Sequence, residues 1–164
     1  MSIGQIIKKV ETFKTNLVEL TGGEPLLNES SLSLITELCD RKYQVLIETN
    51  GSIDIAPVDP RAILIMDLKC PFSGESESML WKNLDYIRSK DEIKFVIGDK
   101  KDYEWALQVI QKYKLEDKCE LLFSCVFTTL KPETLVKWIL ESNIKVRMQL
   151  QLHKFIWDPN QRRV

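Results

Sequence analysis

The sequence predicts an α/β protein whose parallel sheet curls into a partial (βα) barrel. Three observations carry that expectation. Short β-type apolar runs alternate with amphipathic helical stretches along nearly the whole chain, the pattern of βα units and a parallel sheet. Each apolar run has one wholly apolar face, while its other face turns polar toward the carboxyl end. The first run, in Asn16–Leu27 (NLVELTGGEPLL), enters a turn with two adjacent glycines and a proline, where no regular element can continue.

The elements follow in order. Ser2-Ile3-Gly4-Gln5 has the S-x-x-Q form of a capping box, and Ile3, Ile6, Ile7, Val10 and Phe13 recur at helical spacing, so a helix begins almost at Met1. Strand Leu17–Leu20 precedes the glycine turn. A helix over Ser31–Arg41 puts Leu32, Ile35, Leu38 and Cys39 on one face. Strand Gln44–Thr49 ends at the turn dipeptide Asn50-Gly51. Strand Ala62–Leu68 leads through a loop at Pro71–Ser78 to a helix over Met79–Ser89. Strand Glu92–Ile97 is followed by a helix over Asp102–Lys114 capped by Asp102. Strand Glu120–Phe127 precedes a helix from Pro132, a residue suited to a first turn, to Ser142. The last strand is read as Ile144–Leu152. With no linker, repeat or low-complexity tract, residues 1–164 form a single domain.

Side chains alternate across a strand, so the faces can be assigned. Val18 and Leu20 oppose Leu17, Glu19 and Thr21; Val45 and Ile47 oppose Leu46, Glu48 and Asn50. Leu64, Met66 and Leu68 oppose Ile63, Ile65, Asp67 and Lys69, and Val146, Met148, Leu150 and Leu152 oppose Arg147, Gln149, Gln151 and His153. A doubly wound sheet is apolar on both faces. Here the polar groups converge on one side, as the inside of a barrel around a polar ligand requires, because unpartnered buried charge is unfavourable. The alternative is an open sheet with a partly solvated second face.

Composition narrows the function classes. Lys and Arg number 23 against 24 Asp and Glu, so no general field draws in nucleic acid or an anionic membrane. No apolar stretch is long enough to span a bilayer, and MSIGQIIKKV lacks the apolar core of a signal peptide; a cytoplasmic location is expected. Cys39, Cys70, Cys119 and Cys125 lack close metal-type spacing. Cys39 and Cys125 read as small core residues.

Four segments now stand in order at successive strand ends: TGGEP (Thr21–Pro25), ETNG (Glu48–Gly51), DLKCP (Asp67–Pro71) and QLQLHK (Gln149–Lys154). Together they resemble the radical S-adenosylmethionine (SAM) superfamily and, within it, the 7-carboxy-7-deazaguanine synthases of queuosine biosynthesis. The resemblance implies a partial βα barrel and a small-molecule pterin substrate, 6-carboxy-5,6,7,8-tetrahydropterin, rearranged by radical ring contraction. It also implies SAM, a 4Fe–4S cluster and magnesium as cofactors. Residue by residue it assigns Gly22, Gly23 and Glu24 to the SAM amino group, with Asp67, Lys69 and Ser124 also on SAM. Thr21, Glu48, Asn50, Gln151 and His153 fall to the substrate. The alternative for Asp67 and Lys69 is a plain ion pair, and for His153, the single histidine, a structural hydrogen bond near the C-terminus.

One part of the superfamily pattern is missing. The three cluster cysteines, spaced CxxxCxxC after the first barrel strand, are not in this sequence, and the first helix starts where they would have just ended. The expectation is a barrel lacking its first strand and cluster loop through truncation, a late start codon or a split gene, inactive as this chain alone. The alternative is a non-catalytic SAM- or pterin-binding remnant or subunit. In either case the strand Leu17–Leu20 has an open edge, available for self-association or for a partner chain carrying the cluster. A phosphate-binding βα domain fits poorly, because Glu24 in the glycine turn would repel an anion.

Overall fold

Six strands, each parallel to its neighbours, form one sheet in the computed structural model, which describes residues 1–158 and 161. They are β1 (Leu17–Leu20), β2 (Gln44–Thr49), β3 (Ile63–Leu68), β4 (Glu92–Ile97), β5 (Glu120–Cys125) and β6 (Arg147–Met148). The sheet order is β1-β2-β3-β4-β5-β6. Because spatial order equals chain order, right-handed crossovers put the connecting elements on one face of the sheet. The opposite face is left to line a cavity, which is the partial-barrel arrangement.

The covered face builds the core. Val45, Ile47, Leu64, Met66, Ile93, Phe95, Leu121 and Phe123 are buried there, together with Ile35 and Leu38 of α2 (Ser30–Asp40), Ala106 and Ile110 of α3 (Lys100–Tyr113), and Leu135 of α4 (Pro132–Ser142). Each fully buried Leu, Ile or Phe of this set contributes about 1.5–3 kcal/mol. Phe123 meets Phe95 and Tyr103 edge to face at centroid distances of 5.6 and 5.7 Å, the favoured geometry for aromatic pairs. Helix α1 (Ile3–Val10) starts at the expected capping box: Ser2 Oγ accepts from Gln5 N while Gln5 Oε1 accepts from Ser2 N. Among the described residues β1 is paired on one side only, and Leu17 on it is 48% exposed.

Three expected elements take another form. Met79–Ser89 is not an α-helix: Ser76–Ser78 and Trp81–Asp85 are short 3₁₀ turns. Asn83, fully buried, accepts from Ile55 N and donates to the carbonyls of Gly51 and Ile53, and these tertiary bonds hold the segment as a loop despite its helical spacing. The N-cap of α3 is Asp99, whose side chain accepts from Asp102 N; Asp102 lies inside the helix. The last strand shrinks from Ile144–Leu152 to Arg147–Met148, and His153 begins a short helix, α5 (His153–Ile156). No helix among the described residues is long and apolar enough to cross a membrane.

Candidate active site

The uncovered sheet face encloses a cavity of about 760 Å³ at the carboxyl ends of the strands, where ligands bind in α/β folds. Its wall is made of Glu19, Thr21, Glu48, Asp67, Lys69, Gln149, Gln151 and His153, all on the polar faces read from strand alternation, with Ser124, which the resemblance assigned. A contiguous hollow of about 200 Å³ adds Gly22, Gly23 and Asn50. Ten of the expected site residues therefore meet in one place, and only Glu24 lies outside both spaces.

The strand register explains the layout. Asp67 on β3 stands opposite Lys94 on β4, and Val96 opposite Ser124 on β5. Thr21 Oγ1 donates to Glu48 Oε2 at 3.2 Å, and Glu48 Oε1 is 3.5 Å from Lys94 Nζ. Lower in the sheet Arg147 closes on Glu92 at 2.7 Å. Glu19 has no hydrogen bond or ion pair to another described residue, yet its carboxyl is raised above the ordinary range, first by burial and then by Glu48, with Lys94 opposing. Lys94 was not singled out from the sequence. Its signal was there, since Glu92, Lys94 and Val96 alternate with the buried Ile93, Phe95 and Ile97.

Asp67 is the most telling member. Its Oδ2 lies 2.6 Å from Lys69 Nζ, so the ion pair does form. Its Oδ1, however, is buried without a hydrogen-bond partner. Such an oxygen is costly unless a ligand or water donates to it. The His153 ring makes no hydrogen bond or ion pair to another described residue and borders the cavity.

The glycine turn presents backbone, and Glu24 holds it in place. Gly22 and Gly23 have φ of +92° and +63°, and a Cβ on either would meet nothing within 4 Å, so their peptide groups border open space. The Glu24 carboxylate turns into the protein instead. Oε1 accepts from Leu26 N at 3.1 Å, and Oε2 accepts from Thr49 Oγ1 at 2.9 Å and Asn50 N at 2.7 Å. The ends of β1 and β2 are thus joined through one side chain. Asn50 Oδ1 in turn accepts from Ser52 N.

The loop after β3 forms the remaining wall. Cys70 and the 3₁₀ turn Pro71–Ser73 follow Lys69, and Cys70, Phe72 and Ser73 border the cavity. The Cys70 thiol is 2% exposed, and burial, assisted by Asp102 and Asp67, pushes it far above the usual range, so it is a poor thiolate ligand. The four cysteines are free, and no three His, Cys, Asp or Glu side chains among the described residues form a group able to hold a metal ion. The residues in hand therefore fit a SAM-type ligand, through exposed glycine peptides and an orphaned carboxylate oxygen. They do not fit an iron–sulfur cluster.

Comparison with known proteins agrees with the geometry. No protein-family model matches the chain. The 7-carboxy-7-deazaguanine synthase of Chlorobaculum tepidum is 41% identical over 167 residues, covering 100% of this chain and 76% of the relative. That of Koribacter versatilis is 41% identical over 174 residues, covering 97% and 77%. That of Clostridium acetobutylicum is 34% identical over 169 residues, covering 100% and 76%. The crystal structure of QueE from Escherichia coli superimposes with a TM-score of 0.71 over 91% of this chain at 18% identity, a likeness of fold. This chain spans 64% of that structure's length.

Sheet order, polar interior and glycine turn define the molecule as a partial (βα) barrel with a polar ligand cavity at its strand ends. Within that class the sequence likeness is specific: the chain belongs to the 7-carboxy-7-deazaguanine synthase family.

Proposed function

We propose that this chain supplies the SAM- and pterin-binding wall of a 7-carboxy-7-deazaguanine synthase, a radical lyase that contracts the ring of 6-carboxy-5,6,7,8-tetrahydropterin in queuosine biosynthesis. The observation that carries the reading is Asp67 Oδ1, a buried carboxylate oxygen without a partner beside the open peptides of Gly22 and Gly23.

When bound, SAM is the source of the hydrogen-abstracting adenosyl radical. This chain's own residues bind and orient. The peptide groups of Gly22 and Gly23 accept from the SAM ammonium, with Glu24 fixing their turn. Asp67 accepts from a hydroxyl of the adenosyl group, Lys69 balances charge there, and Ser124 closes the far side. On the substrate side Thr21 and Glu48, already hydrogen-bonded to each other, accept from the amino and ring N–H groups of the pterin. Asn50, Gln151 and His153 border the same space, and His153 suits the substrate carboxylate. Among the described residues no three His, Cys, Asp or Glu side chains cluster to offer magnesium an all-protein site.

The cysteine arrangement favours a refinement: the cluster thiolates come from polypeptide outside the described residues, in a longer form of the chain or a partner seated at the open edge of β1. Calorimetric titration of the chain with SAM, then with the pterin, tests the reading. Saturable one-to-one binding of SAM is expected without added iron. Absence of heat with both ligands would overturn it.

A further inference from the structure

Asp102 is 1% exposed, and its carboxylate is not needed to cap its helix, because Asp99 already accepts from Asp102 N at 2.9 Å. Its two oxygens instead reach two loops. Oδ1 accepts from Phe72 N at 2.9 Å, in the turn after β3, and Oδ2 accepts from Gly98 N at 2.9 Å, in the turn after β4. Charge-assisted bonds of this kind are stronger than neutral ones. They join the carboxyl ends of neighbouring strands where the cavity wall begins.

The pairing has a steric counterpart. The Phe72 ring lies directly over Gly98, and a Cβ at position 98 would come within 2.6 Å of two ring atoms, closer than any side chain tolerates. One face of the ring is thus seated on bare backbone, while Phe72 as a whole remains 53% exposed and borders the cavity with Ser73. Ser73 Oγ donates to Cys70 O at 2.6 Å and tightens the same turn.

We propose that Asp102 is a positioning residue that clamps the Cys70–Ser73 wall against the β4–α3 turn and so sets the shape of the ligand cavity. The inference rests on the reading of that cavity as the SAM site. An asparagine at 102 keeps the size but offers one acceptor to two amides, and its NH₂ group then faces an N–H. The wall loosens although the helix cap is intact.

The test compares the full wild-type chain with Asp102→Asn and Gly98→Ala, each at a temperature where circular dichroism shows it folded. SAM affinity is measured by calorimetry and the rate of Cys70 alkylation by N-ethylmaleimide through peptide mass mapping. For Asp102→Asn, SAM binding at least about fivefold weaker is expected; Cys70 alkylation at least about tenfold faster is expected in Gly98→Ala, where the Asp102 charge that also raises the Cys70 thiol is kept. Gly98→Ala, which leaves the carboxylate in place but displaces Phe72, is expected to weaken SAM binding similarly. A lowered melting temperature with SAM affinity unchanged in Asp102→Asn overturns the proposal, because that is the behaviour of a merely structural carboxylate. If Asp102→Asn does not fold, wild-type affinity in Gly98→Ala overturns it. Failure of the wild type to bind SAM counts against the functional reading, and Cys70 alkylation in Gly98→Ala then decides the role of the clamp, a wild-type rate overturning it.

Discussion

Replacing Glu24 by alanine tests how the glycine turn is held. The change deletes three bonds, to Leu26 N, Thr49 Oγ1 and Asn50 N. Bonds to a charged acceptor contribute about 1.5–3 kcal/mol each. Water reaches the partly buried turn and recovers some of this, but Thr49 is only 2% exposed, so its hydroxyl loses an acceptor in a dry place. A net loss of about 3–4 kcal/mol follows, which for a domain of this size lowers Tm by roughly 6–16 °C. Glu24→Gln keeps one carbonyl oxygen, best placed on the Thr49–Asn50 pair that shares Oε2, and then turns its NH₂ group toward Leu26 N; about 1–2 kcal/mol is expected. Urea unfolding monitored by tryptophan fluorescence measures both. An alanine variant within about 0.5 kcal/mol of wild type would refute the reasoning. A Glu24→Gln protein of full stability that no longer binds SAM would put the carboxylate on the ligand instead of on the turn.

Two further predictions concern the second turn and the cavity floor. Gly51→Ala forces a φ of +72° on alanine and drives its Cβ to 2.9 Å from Met66 Sδ, so thermal unfolding should register a loss of about 1–3 kcal/mol; an unchanged Tm would contradict the packing described. The Glu19 carboxyl is raised in the folded state by burial and by Glu48, so its ionisation opposes folding, and the penalty enters as pH rises through the unfolded-state value. Glu19→Gln should raise Tm at pH 7 and leave it unchanged below about pH 4, where the glutamate is neutral in both states. A stabilisation equal at both pH values would refute that origin.

Much of the fold was legible because a strand with one covered face declares itself residue by residue. Gln44–Thr49 and Glu92–Ile97 have the expected bounds, and the inward set Thr21, Glu48, Asp67 and Lys69 follows from alternation alone. What was not legible depends on partners distant in sequence. Glu24 reads as a free acid in a turn until Thr49 and Asn50 arrive from β2. Asn83 sits within helical spacing, yet bonds to Gly51, Ile53 and Ile55 hold it in a loop. Asp102 reads as the cap of its helix until the amides of Phe72 and Gly98 claim its carboxylate and Asp99 accepts from Asp102 N in its place. The last strand is an edge with little pairing, so its alternation does not persist: Leu150 and Leu152, expected on the covered face, border the cavity with Gln149 and Gln151.

The central claim is that the cavity takes SAM at the glycine turn and at the orphaned oxygen of Asp67. It is tested most directly by calorimetric titration of SAM into the wild-type chain and into Asp67→Asn, which keeps the shape but removes the charge. The account predicts saturable one-to-one binding to the wild type and affinity at least about tenfold weaker in the variant. Equal affinity in both, or no binding to the wild type, would contradict it.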